Sequence, residues 1–192
     1  MAQPAAATRA AAARLAALGF DGGGPRAILH PGAVASLATF AEVVRRLTRD
    51  HGWRILVTGG AGEGARVTPL AALPGAVAAG ETNLPEFAAL IVRAPVLVTM
   101  NTGPAHLAAA LGTPVVDLYV LTNLQHAPWR GRGRGRFRDV PCHVCLQSVC
   151  SEGHHRCLAG IGAGAVGVAA REVPAGGARG VDEAGDLLAP AR

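Results

Sequence analysis

Between residues 27 and 120, short apolar runs alternate with helix-like segments, and each of the first four runs ends in a turn that contains glycine. No other feature constrains the fold as strongly. A run that is apolar at almost every position suits a strand buried on both faces, and such strands are joined in parallel by helices crossing over the sheet. The runs occupy residues 27–30, 54–58, 77–79, 96–100 and 114–120, with helices expected near 38–48, 63–73, 84–93 and 104–111. The third of these helices is well marked, with Asn83 as an N-cap, Pro85 in the first turn and Glu86 at the capping-box position. Right-handed crossovers then give an open, doubly wound α/β sheet of Rossmann-like type. Its ligands bind beyond the carboxyl ends of the strands.

At 192 residues the chain is long enough for one full core and short for two. The expected division is a helix and linker over 1–25, one domain over 26–171 and a disordered tail over 172–192, where proline, glycine and alanine dominate. Leu15 and Leu18 give the opening segment the spacing of a surface helix, and it lacks the basic start and apolar centre of a secretory signal. Charged or polar residues such as Arg93, His106 and Asp117 interrupt the longest apolar stretches before they reach the roughly 20 residues of a membrane span. The compartment therefore reads as cytoplasmic. All 18 basic residues are arginines against 13 acids, a net charge of +5, which favours phosphate-bearing partners without choosing among them.

The loops that follow the strands carry the functional argument: His30-Pro31-Gly32, Thr58-Gly59-Gly60-Ala61-Gly62, Gly80-Glu81-Thr82-Asn83 and Asn101-Thr102-Gly103-Pro104. The chemistry of the last suits a diphosphate. Thr102 can cap the helix, Gly103 lets a ligand approach the backbone, and the first-turn N–H groups face the crevice with the helix dipole behind them. His106 stands on that first turn, able to donate to a phosphate oxygen. Taken by itself, the stretch reads equally well as a capped helix carrying a solvent-facing histidine.

The whole segment from Val98 to Pro114 resembles the signature of glycosyltransferase family 9, the heptosyltransferase family. There, an Asp-Ser/Thr-Gly-x-x-His turn precedes an Ala-rich helix and Gly-Thr-Pro. The resemblance is supported in order by His30-Pro31-Gly32-Ala33, by Thr58-Gly59-Gly60 with Glu63, and by Gly80-Glu81-Thr82-Asn83-Leu84. Tyr119, Pro128-Trp129 and the cysteine cluster with Gly153-His154-His155 extend it over about residues 14 to 171.

The resemblance implies the C-terminal, donor-binding half of a GT-B glycosyltransferase, with a nucleoside-diphosphate sugar such as ADP-heptose as ligand. Carried over by position, Thr102, Gly103 and His106 contact the diphosphate, while Glu63 and the Gly59-Gly60 turn lie near the nucleotide. Asn101 takes the usual aspartate position without its charge. The loop after Gly32 has Ser36-Leu37-Ala38-Thr39-Phe40 where the family commonly has a basic residue followed by tryptophan.

In that family the general base sits in an N-terminal domain, so no catalytic residue is assigned here and binding without turnover is expected. No cofactor is required. The implied partners are the donor, a glycolipid acceptor such as lipopolysaccharide core at the inner-membrane surface, and a separate N-terminal acceptor domain.

Two other readings compete. Gly60-Ala61-Gly62-Glu63-Gly64, with Glu81 downstream, approximates a dinucleotide fingerprint, but its spacing is G-x-G-x-G rather than G-x-G-x-x-G. In the C-terminal third, Arg130, Arg132, Arg134, Arg136 and Arg138 alternate mainly with glycine and read as a solvated loop, with contact to an anionic acceptor or a membrane surface as the alternative. Phe137 is the sole aromatic among them, so no nucleic acid is expected. Cys142, Cys145, Cys150 and Cys157 follow with His143, His154 and His155 interleaved, a spacing that admits a structural zinc, reduced thiols or a local disulfide.

Overall fold

The computed structural model describes residues 3–20, 24–32, 37–118, 133–138, 140–142, 150–153 and 156–175. Helix α1 (Ala5–Ala17) precedes four strand and helix units and a fifth strand. These are β1 (Ala27–His30) and α2 (Leu37–His51), β2 (Ile55–Val57) and α3 (Gly64–Ala71), β3 (Ala76–Ala78) and α4 (Leu84–Ile91), β4 (Leu97–Met100) and α5 (Gly103–Leu111), then β5 (Val115–Leu118). A further strand β6 (Gly133–Arg136), a short helix α6 (Arg156–Ala159), α7 (Ala163–Glu172) and a 3-10 turn (Val173–Ala175) complete the described elements. All strands pair in parallel in the order β3-β2-β1-β4-β5-β6, so the connections reverse direction between β1 and β4. The expected α/β class holds, and the five expected strands all form.

The sheet separates two apolar layers. On one face Leu29, Val57, Val98 and Val116 meet Phe40, Val43, Val44 and Leu47 of α2, Leu70 of α3 and Val166 and Ala169 of α7. The α2 positions recur at i, i+3, i+4 and i+7, the spacing that puts one helix stripe on a sheet. On the other face Ile28, Leu56, Leu97 and Val115 meet Ala7, Ala11 and Leu15 of α1, Ala89 and Leu90 of α4 and Ala105 and Ala108 of α5. The opening helix is thus part of the second layer. Arg54 secures its end by donating to the Leu18 and Gly19 carbonyls, with its guanidinium 4.4 Å above the Phe20 ring. The α4 cap forms as its sequence prescribes, with the Glu86 amide donating to Asn83 Oδ1 at 2.9 Å.

The arginine and glycine run departs from expectation. Part of it is β6, paired to β5 with Val115 opposite Gly133 and Leu118 opposite Arg136. A Cβ at Gly133 would lie 2.7 Å from the Val115 carbonyl oxygen, so glycine is what allows this strand to dock. Arg136 is 2% exposed and Arg134 reaches Glu172 of α7 at 3.4 Å, so neither is the solvated side chain expected of a loop. Arg130 and Arg132 lie outside the described residues. Helical structure also continues past residue 171, where the tail was expected to begin, through Ala175, with Val173 buried. Among the described residues no helix is long and apolar enough to cross a membrane.

Candidate functional site

The reversal between β1 and β4 opens a crevice at the carboxyl ends of these strands, where a doubly wound sheet receives its ligand. His30 ends β1 there, with its side chain only 10% exposed. Its carbonyl accepts the Thr99 hydroxyl of β4 at 2.9 Å, and its Nδ1 lies 3.1 Å from Thr58 Oγ1, just beyond β2. On the other side of the ring, Nε2 stands 3.6 Å from Glu63 Oε2, the same oxygen that accepts the Gly60 amide at 2.6 Å. The Phe87 ring backs the imidazole at 5.4 Å.

Burial lowers the His30 pKa, and the opposing pull of Glu63 is the smaller influence. The ring is therefore neutral near pH 7, and its approach to Glu63 is not a salt bridge. Gly59 is fixed by space. A Cβ there would stand 2.5 Å from Val67 Cγ2 and 3.2 Å from Glu63 Cβ, pushing away both α3 and the acid.

The β4–α5 turn holds the remaining expected residues. Thr102 occupies the N-cap position of α5, but its hydroxyl does not cap the helix. It donates back to the Met100 carbonyl at 3.2 Å, because the turn brings that oxygen nearer than the first-turn amides. Among the described residues no side-chain cap of this N-terminus is seen, and the positive end of the helix dipole faces the crevice. A Cβ at Gly103 would meet nothing within 4 Å, so the approach to that backbone is open. His106 is exposed on the first turn. Asn101 is half-buried, and its Oδ1 is buried without a hydrogen-bond partner.

Two residues of this region were given no role from the sequence. His30, named there only as part of a loop motif, is one. The other is Asp117 of β5, which pairs in register with Thr99, itself opposite His30. Thr58, His30, Thr99 and Asp117 thus form one polar rung across four neighbouring strands of an otherwise apolar sheet. Asp117 is 3% exposed, neither carboxylate oxygen has a hydrogen-bond partner, and burial pushes its pKa up to about 8. The sequence signal for both was the same, a single polar residue inside a run of apolar ones.

The cysteine region is described only in part. Cys145, His143, His154 and His155 lie outside the described residues, as do Tyr119, Pro128 and Trp129. The Cys157 thiol is held above its usual pKa first by burial, with neighbouring Cys150 and Cys142 adding to the shift. Among the described residues, no group of three histidines, cysteines or acids is arranged to hold a metal ion.

The sequence model of glycosyltransferase family 9 (heptosyltransferase) matches residues 36–155, more than half of the chain. The chain belongs to glycosyltransferase family 9. The match includes Gly59, Gly60, Glu63, Asn101, Thr102, Gly103 and His106. Lipopolysaccharide heptosyltransferase 1 of Pseudomonas aeruginosa is 33% identical over 117 residues, covering 59% of this chain and 33% of that protein. The chain spans about a third of the length of the lipopolysaccharide heptosyltransferases 1 and 3 that it matches in P. aeruginosa and E. coli.

Among solved structures, a family 9 protein from Veillonella parvula superimposes with a TM-score of 0.76 at 19% identity, over 92% of this chain and 54% of that one. The ADP-heptose lipopolysaccharide heptosyltransferase II of Escherichia coli gives 0.70 at 22% identity, over 91% and 53%. At these identities the likeness concerns the fold, and the family 9 fold is GT-B, of which this sheet makes one half.

Proposed function

We propose that this family 9 chain is the donor-binding half of a glycosyltransferase, taking a nucleoside-diphosphate sugar of the ADP-heptose kind for transfer to lipopolysaccharide core or a related glycan. One observation carries the reading. An anchored acid beyond β2 and an uncapped helix N-terminus beyond β4 flank the same switch point. An acid at the end of the second strand is where such sheets accept ribose hydroxyls, and an uncapped N-terminus is where they hold phosphate. Thr102, Gly103 and His106 then face the diphosphate, Glu63 and the Gly59-Gly60 turn the nucleoside, and Asn101 offers its unpartnered oxygen to a donor hydroxyl. The names of the E. coli and P. aeruginosa relatives support the donor and the glycan class.

Transfer also requires a base that deprotonates the acceptor hydroxyl, which this reading assigns to a separate acceptor domain. The proposed place of action is the cytoplasmic face of the inner membrane, where such an acceptor is presented.

Calorimetric titration with ADP, ADP-heptose, UDP, GDP and NAD tests the donor site. ADP and ADP-heptose are expected to bind saturably, with His106→Ala weakening both about tenfold, the loss of one charge-assisted hydrogen bond. Preference for NAD would instead favour the dinucleotide reading, and binding of no nucleotide would remove the proposal.

A structural zinc on Cys142, Cys145, Cys150 and Cys157 is a separate proposal. It is supported by the C-x2-C spacing of the first pair and the influence of Cys150 and Cys142 on the Cys157 thiol. Elemental analysis of chain purified without chelator is expected to give one zinc per chain. A Cys150→Ser variant is expected to lose it, and metal-free parent protein would leave reduced thiols as the answer.

A further inference from the structure

We propose that His30, oriented by Thr58, is a positioning residue that, beside the hydrogen bond from the Gly60 amide, keeps one Glu63 carboxylate oxygen turned inward and so presents the other to the ribose diol of the nucleotide. The inference rests on the donor-site reading above and adds to it a residue that touches no ligand.

The geometry gives the two Glu63 oxygens different roles. Oε2 accepts the Gly60 amide at 2.6 Å and faces His30 Nε2 at 3.6 Å, whereas no such contact engages Oε1. A carboxylate only accepts hydrogen bonds, so the ring favours it there only with the proton on Nε2. Nδ1 must then be the acceptor, and the Thr58 hydroxyl donates to it at 3.1 Å in preference to the Leu29 carbonyl at 3.4 Å. The neutral state that burial imposes on His30 is the one that can both accept from Thr58 and donate toward Glu63. Phe87 restrains the ring, and the hydrogen bond from Thr99 to the His30 carbonyl fixes the strand end that carries it. A bare glutamate on the exposed 60–64 turn would sample many rotamers. Pinning one oxygen removes that freedom before the ligand arrives, which is how preorganisation strengthens binding.

Two amide substitutions separate the ring's two nitrogens. In His30→Asn the amide reaches only the Nδ1 position and keeps the Thr58 contact. In His30→Gln it extends to the Nε2 position and keeps a donor toward Glu63. The measurement is calorimetric binding of ADP and of 2′,3′-dideoxy-ADP to the full chain and both variants, with thermal melts to establish that each is folded.

His30→Asn is expected to lose about tenfold in ADP affinity while binding the dideoxy nucleotide as the parent does, and His30→Gln is expected to stay within about threefold of the parent for both. Equal losses for the two nucleotides in His30→Asn, or no loss for either, would overturn the inference with the donor reading intact. A parent chain that binds no ADP would overturn the donor reading and this inference with it.

Discussion

Asp117→Asn is expected to abolish a fall in stability that the parent protein shows between about pH 4 and pH 8. The Asp117 carboxyl is buried in β5 with neither oxygen bonded, and burial alone drives its pKa up to about 8. In the unfolded chain the same group titrates at about 3.9. Below the unfolded value both states hold the proton and the group makes no difference. As pH rises, the unfolded chain releases a proton that the folded chain retains, so unfolding becomes easier by about 1.4 kcal/mol per pH unit. Over the whole window this amounts to about 5–6 kcal/mol, a large part of the roughly 5–15 kcal/mol that holds a typical domain together. Asparagine has nearly the same shape and no proton to lose. Urea unfolding of parent and variant at pH 4.5, 6 and 8 reads the difference, since every other titrating group is common to both. Parallel stability curves would mean that Asp117 is not the buried neutral acid described here.

The second large effect is expected from Phe40→Ala. Phe40 is fully buried on α2, where it packs between the sheet and the other helices of its layer. Removing a buried aromatic ring forfeits its transfer free energy and leaves a cavity, together about 3–5 kcal/mol. The midpoint of urea unfolding is expected to fall accordingly, with the slope unchanged. Leu29 belongs to the Phe40 layer, and the next position, His30, points to the opposite face of the sheet. Nucleotide affinity measured under conditions where the variant remains folded should therefore match the parent's. A loss below about 1 kcal/mol would show that the α2 face is not the close-packed layer its burial indicates.

How much of this was legible beforehand depends on the range of the interactions concerned. The five expected strands and α4 with its Asn83 cap were readable because they rest on local patterns: unbroken apolar runs, helical spacing, and a cap that bonds three residues away. The loops that hold Gly60, Glu63 and the Asn101 to His106 turn could be located because they follow the strands of a parallel sheet, whereas the roles proposed for those residues came from the family resemblance. The Thr102 cap failed at the level of one torsion angle, since position in the turn does not say which carbonyl or amide the hydroxyl will meet. β6 was missed because Gly133 and Gly135 weaken any local preference for a strand, and its stability comes from pairing with β5.

The sequence by itself determined the alternating architecture, the strand-end loops that border the crevice and the membership of family 9. These are properties of short segments, or of a motif whose parts are adjacent in the chain. Tertiary structure alone decided that the Arg134 and Arg136 segment is a strand, that α1 belongs to the second apolar layer, and that Thr58, His30, Thr99 and Asp117 make one polar rung. The reason is register: residues separated by dozens of positions become neighbours only when parallel strands align. It is then the loss of water around them that neutralises His30 and keeps the proton on Asp117.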